Sequence, residues 1–253
     1  MTKKAIIRIS IFYIIGIALS NVFRFDLLNL NNYELSVYGL FLISLLGAIG
    51  LLIGALISLH LLKKERKLSY SLFGSSRKWS SVMLIIPVIL LGVFGVDNRY
   101  DLNPHSYGII GAVSTLIYCF FEEIGWRGYL QDELQPVKEW QRVLLIGFLW
   151  YLWHLSFISN QNFIDNIQFL GWMIFGSWGI GKVIDLTKSI IAATCFHMII
   201  NVMMFNSLMK NGIDGDSKLI IIGVTVVAWI FIMIIWIKEK KTIAPHYSQS
   251  KTT

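Results

Sequence analysis

Long runs of apolar residues, separated by short polar segments, dominate the sequence. A transmembrane helix needs about 20 mostly apolar residues, and eight stretches of the chain approach that length. They are residues 5–23, 37–62, 82–96, 107–130, 143–160, 167–184, 189–208 and 219–237. The pattern predicts an all-α, polytopic membrane bundle of about eight helices. We expect one integral-membrane domain over residues 1–253, with a basic cytosolic tail at 238–253.

Some of these stretches are less regular than the others. The third is short and could extend back through Trp79, and the sixth is rich in glycine and tryptophan, so we expect it to be the least regular helix. The first has a basic start and a loose small-residue cleavage pattern, as in a signal peptide. A retained anchor is the favoured reading, and the orientation of the other helices is the same in either case.

Composition and charge support a membrane protein. Hydrophobic residues make up 55% of the chain and charged residues 15%, against about 25% charged in soluble domains, and the mean hydropathy is +0.64. Of the 22 lysines and arginines, 17 fall on one side of the predicted spans. Four fall on the other side, namely Arg24, Arg99, Lys210 and Lys218. Because positive residues favour the cytosol, both termini are predicted to be cytosolic. The net charge of +7 therefore reflects topology and does not indicate a nucleic-acid partner.

Two further features of composition bear on the compartment. The chain is rich in Ile, Lys and Asn, which favours a low-GC bacterium and its plasma membrane. Cys119 and Cys195 both lie in apolar runs, and we expect buried reduced thiols there.

Few ionisable residues lie well inside the predicted spans. They are Glu122, Glu123, Arg127, His154 and His197. Such residues are costly in a membrane and mark functional sites. With a rise of about 1.5 Å per residue, the glutamates lie about 10 Å from the predicted cytosolic surface, His154 roughly 17 Å and His197 roughly 12 Å. The similar depths predict one site, opening toward the cytosol.

The spacing of the polar residues along each helix suggests a separate role for each of them. Glu123 and Arg127 are four residues apart, so they can pair on one helix face. Glu122 is rotated by about 100° from Glu123, and we predict that it faces the chemistry while Glu123 and Arg127 brace it. The reverse assignment of the two glutamates stays open. His197 and Asn201, also four apart, can both donate to one oxygen, as an oxyanion hole requires.

These residues predict hydrolysis by activated water. Glu122, assisted by His154, would take a proton from the water that attacks a peptide carbonyl. A zinc ion held by Glu122, His154 and His197 is the alternative. The H-E-x-x-H arrangement of two histidines on one helix is absent, and histidines on separate helices do not exclude zinc. A metal-free and cofactor-free site is favoured.

The motifs resemble a known family. E-E-x-x-x-R at Glu122, Glu123 and Arg127, a histidine in the next span and H-x-x-x-N at His197 and Asn201 are similar to those of the CPBP family. This family comprises type II CAAX prenyl endopeptidases and bacteriocin-processing or immunity proteins, also called the Abi family. The resemblance covers residues from about 107 to 208, which we take as the catalytic core.

The resemblance carries expectations for the site. It implies a glutamic intramembrane endopeptidase in which Glu122 and His154 activate water, and His197 and Asn201 form the oxyanion hole. Where the family often has phenylalanine, this chain has Trp150, and we expect altered packing with unaltered chemistry. A membrane-associated peptide, such as a pheromone or bacteriocin precursor, is a more plausible substrate than a prenylated protein. The alternative function is a non-catalytic membrane protein that binds a partner or confers bacteriocin immunity.

Overall fold

The computed structural model describes residues 1–62 and 68–249, and the chain is helical through most of this length. Over these residues the helices are α1 (Lys3–Arg24), α2 (Val37–Leu56), α3 (Arg77–Phe94), α4 (Pro104–Glu123), α5 (Glu139–Trp153), α6 (Leu155–Ile158), α7 (Phe163–Thr187), α8 (Ile190–Ile200) and α9 (Gly215–Gln249). A 3₁₀ turn at Leu30–Asn32 precedes α2. Within the described residues the one β-type pairing is an isolated bridge between Ser71 and Ser189. The predicted all-α helix bundle is confirmed.

Eight of these helices occupy the eight predicted apolar stretches, and α6 is a single extra turn. Six helical segments in the described part of the chain are long and apolar enough to cross a membrane, whereas those of α5 and α8 are shorter. The exact number of spans and the orientation of the bundle stay predictions. The backbone of α9 remains helical to Gln249, and residues 250–253 lie outside the described chain. So do Lys63, Lys64, Arg66 and Lys67 of the predicted cytosolic charges.

The start of α4 follows directly from local sequence. The side chain of Asn103 accepts hydrogen bonds from the backbone N–H groups of His105 and Ser106, and Pro104 occupies the first helical position. An Asn cap followed by proline is a strong helix start, because the cap satisfies free N–H groups and proline has none to satisfy. This cap fixes where the helix that carries the two glutamates begins.

Two helices show how the apolar pattern relates to the backbone. The glycine-rich α7, whose apolar pattern is the least regular, is an unbroken helix of 25 residues. The helix α5 ends at Trp153 instead of running to residue 160. Its end has a local cause. The Nδ1 atom of the His154 ring hydrogen-bonds the carbonyl oxygen of Trp150. The backbone N–H of His154 therefore donates to the carbonyl oxygen of Tyr151 and not to that of Trp150. A side chain that competes for a helical carbonyl in this way ends the helix.

Three helices widen into π-helical turns at their carboxyl ends. They are α2 at Ile57–Leu61, α4 at Ile124–Gln131 and α8 at Asn201–Phe205. Such turns are rare and occur frequently at functional sites. Two of the three begin at or directly after predicted site residues, Glu123 and Asn201.

Close packing joins α1 to α2. A Cβ placed on Gly50 would lie 2.6 Å from the carbonyl oxygen of Gly16, and one on Gly54 would lie 2.7 Å from that of Phe12. The G-x-x-x-G pattern at Gly50 and Gly54 thus lets two backbones of the same chain approach each other. This use of small residues is the one expected where helices pack in lipid.

The buried apolar residues form two clusters on either side of the site. One is built mainly on α3, α4, α8 and α9 around Met83, Met198 and Trp229. The other joins α1, α2, α5 and α7 around Phe12 and Trp126. The carboxyl end of α4 runs between them, and this position holds its polar side chains away from lipid.

Candidate active site

Glu123 is the centre of a buried polar cluster. Its Oε1 atom accepts hydrogen bonds from Arg127 Nη1 at 3.2 Å and from His197 Nδ1 at 2.8 Å. Glu123 and Arg127 are 0% exposed, and His197 is 6% exposed. A buried carboxylate with a cation and an imidazole on one oxygen is held firmly, because removing either partner would leave an unpaired charge in an apolar interior. The predicted ion pair of Glu123 with Arg127 is present.

Glu122, one residue earlier, has different partners. Its Oε2 atom accepts hydrogen bonds from the indole N–H of Trp150 at 2.9 Å and that of Trp126 at 3.3 Å. Its Oε1 atom is buried without a hydrogen-bond partner. One oxygen of Glu122 is therefore anchored by neutral donors, while the other is free to accept a proton. Glu123 Oε2 is likewise buried without a hydrogen-bond partner, so the two carboxylates differ at their other oxygen, which contacts neutral indoles in Glu122 and a guanidinium and an imidazole in Glu123.

His154 stands beside the same tryptophan. Its Nδ1 atom lies 2.9 Å from the carbonyl oxygen of Trp150. A carbonyl only accepts hydrogen bonds, so Nδ1 carries the proton and the Nε2 atom of the neutral ring is left as an acceptor. The ring packs edge-on against Trp153 and Phe169, with centroids 4.8 and 5.3 Å away. Packing and hydrogen bonding together fix its orientation.

A cavity of about 510 Å³ adjoins these residues, and His154, His197 and Asn201 lie in its wall. Most of the remaining wall is apolar and comes from α1, α2, α7 and the end of α8. Trp150 also lines it and connects it to Glu122 through the indole N–H. The structure thus places the predicted residues around one tryptophan. The side chains of Glu122 and His154 are not hydrogen-bonded to each other in the structure.

Sequence reasoning missed the two tryptophans that bond Glu122. Trp126 lies four residues after Glu122, the spacing of neighbours on a helix face. That spacing was a usable signal for a hydrogen bond between the two side chains. Trp150 was expected to change packing alone, and instead it donates a hydrogen bond that phenylalanine cannot make.

Arg24 was also missed as part of the cavity. Counted from the sequence as a charge outside the membrane, it instead lies in the cavity wall. Its guanidinium donates to the carbonyl oxygens of Gly47 at 3.1 Å and Trp153 at 3.4 Å and to the hydroxyl of Tyr118 at 2.6 Å. It also lies 3.4 Å from the ring centre of Trp153. Arg24 therefore connects α1 to α2, α4 and α5.

The zinc alternative can be tested against this arrangement. Within the described residues, no group of three His, Cys, Asp or Glu side chains is placed to hold a metal ion. Glu122 Oε2 is bonded by two indoles. The Nδ1 atoms of both histidines bond a carbonyl or a carboxylate oxygen, as histidines that bind a metal through Nε2 also do, so these bonds do not decide against zinc. The observation against a zinc shell is that Glu122, His154 and His197 are not grouped closely enough to share one ion. Cys119 and Cys195 are free and buried, as predicted.

Comparisons with known proteins agree with the motifs. Residues 104–203 match the family model described as type II CAAX prenyl endopeptidase Rce1-like. The CAAX prenyl protease 2 of Methanococcus maripaludis is 34% identical over 126 residues, covering 43% of this chain and 43% of that protein. The match thus spans less than half of that relative's length. Residues 104–203 contain all six predicted site residues. Over this region the chain is similar to the Rce1-like type II CAAX prenyl endopeptidases, in agreement with the CPBP motifs.

Proposed function

We propose that this protein is an intramembrane endopeptidase that hydrolyses a peptide bond in a membrane-associated peptide or protein. The observation that carries the proposal is the environment of Glu122. This carboxylate is buried, anchored at one oxygen by two indoles and unpaired at the other, and Trp150 links it to His154 at a cavity. The family match supports the same conclusion.

In the proposed reaction, Glu122 and His154 activate a water molecule. The free Oε1 of Glu122 takes a proton from the water, and the Nε2 atom of His154 accepts the second hydrogen bond and orients it. The water oxygen then attacks the carbonyl carbon of the peptide. When the tetrahedral intermediate collapses, the carboxyl group of Glu122 returns its proton to the leaving amine nitrogen.

His197 and Asn201 stabilise the oxyanion in this scheme. Because Nδ1 of His197 donates to Glu123, its Nε2 can donate to substrate only when the ring is a protonated imidazolium. The carboxylate of Glu123 orients the ring through Nδ1, and Arg127 holds the carboxylate in place. The side-chain amide of Asn201 provides the second donor from the cavity wall. Donors fixed in this way stabilise charge that develops in the transition state.

The experiment is a cleavage assay with purified protein in lipid nanodiscs. The panel contains membrane-anchored peptides with and without a prenyl group, since the relative from Methanococcus maripaludis is named for a prenyl substrate. Cleavage by the wild type should fall at least a thousandfold in Glu122→Gln and in His154→Ala. Ser106→Ala, at an exposed position in the first turn of α4 and away from the cavity wall, serves as the control.

Two results would contradict the proposal. Undiminished cleavage by Glu122→Gln would exclude Glu122 as the base. Absence of cleavage by the wild type, together with a cellular phenotype that both variants preserve, would favour the non-catalytic alternative of partner binding or bacteriocin immunity. The proposed metal-free chemistry predicts that a chelator leaves the rate unchanged, whereas loss of activity with EDTA and recovery with zinc would contradict it.

A further inference from the structure

We propose that Arg24 is a substrate-binding residue, whose guanidinium binds a carboxylate group of the substrate at the cavity wall. This inference deepens the proposed function and rests on it for the word substrate. It concerns a residue outside residues 104–203, the part of the chain that matches the family model. Two sources of such a carboxylate are the carboxyl terminus of a peptide and the side chain of an aspartate or glutamate.

The charge of the cavity wall is unbalanced. Among the described residues that line the cavity, Arg24 alone carries a permanent charge, and none is aspartate or glutamate. No carboxylate in the described part of the chain forms an ion pair with Arg24. Much of the remaining wall is apolar and includes Phe169, Trp172 and Phe175. A cation in such surroundings is costly without a partner and marks a functional site, so the wall favours an anionic ligand.

Arg24 has N–H groups left for a ligand. Its Nε atom donates to Gly47, one terminal nitrogen, Nη1, donates to Trp153, and the other, Nη2, donates to Tyr118. Each terminal nitrogen of a guanidinium carries two N–H groups. These bonds therefore leave one N–H on Nη1 and one on Nη2. A carboxylate, with its two oxygen atoms, can accept both at once.

The guanidinium is held in place before any ligand arrives. Its three acceptors belong to α2, α4 and α5, and its central carbon lies 3.4 Å from the ring centre of Trp153. Because the side chain is already ordered, binding a carboxylate costs little further conformational entropy. A rigid, planar donor of this kind suits a carboxylate better than the flexible ammonium of a lysine does.

Arg24 is also linked to the residues of the proposed reaction. Trp153, whose carbonyl oxygen accepts from Arg24, directly precedes His154. Tyr118, whose hydroxyl accepts from Arg24, is four residues before Glu122, the spacing of neighbours on one helix face. The charge of Glu122 acts on that same hydroxyl. A peptide bound for cleavage would therefore bring a carboxylate close to its scissile bond to Arg24, and the positive charge would select substrates that have one.

A binding measurement on inactive protein tests this inference. Glu122→Gln is placed in nanodiscs of phosphatidylcholine, which has no net charge and does not compete as an anion. Three acylated apolar peptides are compared: one ends in a free carboxylate, one ends in an amide, and one ends in an amide but has glutamate as its last residue. Calorimetric titration, corrected with empty nanodiscs, measures their affinities.

We expect at least one peptide with a carboxylate to bind about tenfold or more tighter than the uncharged amide, as hydrogen bonds to charged groups allow. Preference for the free carboxyl terminus would identify the terminal group as the ligand, and preference for the glutamate peptide would identify a side chain. Equal affinities for all three peptides would overturn the inference.

Substitutions in the same Glu122→Gln background assign the preference to Arg24. Arg24→Gln should bind all three peptides equally, and Arg24→Lys should keep only part of the preference. Arg99→Gln, at an exposed position away from the cavity wall, removes a charge of the same kind and should keep all of it. Comparing peptides within one variant cancels any loss of folded protein. A preference that survives unchanged in Arg24→Gln would overturn the inference.

Binding in this experiment does not depend on cleavage. A wild-type protein without peptidase activity would contradict the proposed function and leave the preference for a carboxylate to be measured. Cleavage that requires Glu122 but shows no such preference would contradict the role of Arg24 alone.

Discussion

Adjacent glutamates in this protein have separate environments. Glu123 is paired with Arg127 and His197, whereas Glu122 is held by two indole N–H groups. The helical spacing of Glu123 and Arg127 predicted their pair correctly. It did not predict the partners of Glu122, because the indole N–H is one polar atom on a ring otherwise suited to packing. Which tryptophan turns that atom toward a carboxylate depends on tertiary contacts.

Substituting each glutamate with glutamine should separate the two roles. In Glu122→Gln the amide oxygen still accepts from the indoles, so the fold should persist while cleavage is lost. In Glu123→Gln a buried Arg127 loses its counter-charge, and we expect about 3–5 kcal/mol of destabilisation. Thermal unfolding in detergent measures this difference. Equal stability of the two variants would contradict the assignment.

Replacing Trp150 with phenylalanine should test its hydrogen bond to Glu122. The ring volume is largely kept, but Glu122 loses its shorter indole contact, and a hydrogen bond to a charged group contributes about 1.5–3 kcal/mol. We expect kcat to fall about tenfold, which corresponds to about 1.4 kcal/mol. Trp229→Phe is the matched control, because Trp229 donates to the carbonyl oxygen of Met83, away from the site. Equal rates in both variants would assign Trp150 to packing alone.

At the level of helices, sequence predicted where the segments lie better than where they end. In the described part of the chain the apolar runs located eight helices, of which α5 and α8 are shorter than a typical span, since hydrophobic length is a strong signal in membrane proteins. The stretch around His154 contains no glycine or proline. The end of α5 there depends on one hydrogen bond from the His154 side chain to a backbone carbonyl oxygen. The spacing of apolar residues gives no indication of such a bond. The G-x-x-x-G pattern at Gly50 and Gly54 is the sequence feature that marks the close α1–α2 contact.

Alanine at Gly50 or Gly54 should therefore destabilise the bundle. The added methyl group would meet backbone atoms of α1 at 2.6 or 2.7 Å, and such overpacking costs about 1–3 kcal/mol. Gly179→Ala in α7 is the control, because nothing lies within 4 Å of its added methyl group. Unfolding temperatures should fall for the first two variants and hold or rise for the third. A fall of the same size in all three would contradict the packing argument.

At the scale of the whole molecule, Arg24 connects four helices around the cavity. The sequence placed it at the outer boundary and could not show that it turns inward. Depth estimates from the sequence bring Glu122, His154 and His197 to a common level, but they do not show how the large side chains pack around them. The predicted opening of the site toward the cytosol stays a prediction.

Removing the Arg24 guanidinium should loosen this arrangement. Arg24→Met keeps an apolar stem but loses three hydrogen bonds and the contact with Trp153. We expect destabilisation of about 2 kcal/mol, near the strength of hydrogen bonds from a charged group. Arg24→Lys should recover only part of it, because lysine lacks the planar fork of donors. Arg99→Met, at an exposed position on the same side, should leave the unfolding temperature unchanged.

The π-helical turns have a consequence for sequence change. A π-turn holds one residue more than the α-helical turn that it replaces, so a single deletion within Ile124–Gln131 restores a regular helix. The residues after the turn then stay near their present positions, whereas a deletion within a regular α-helix rotates every later residue by about 100°. A deletion between Glu123 and Arg127 would leave them three residues apart, a spacing that still places both on one helix face. Single-residue gaps among relatives that keep this chemistry should therefore fall within Ile124–Gln131 and not earlier in α4.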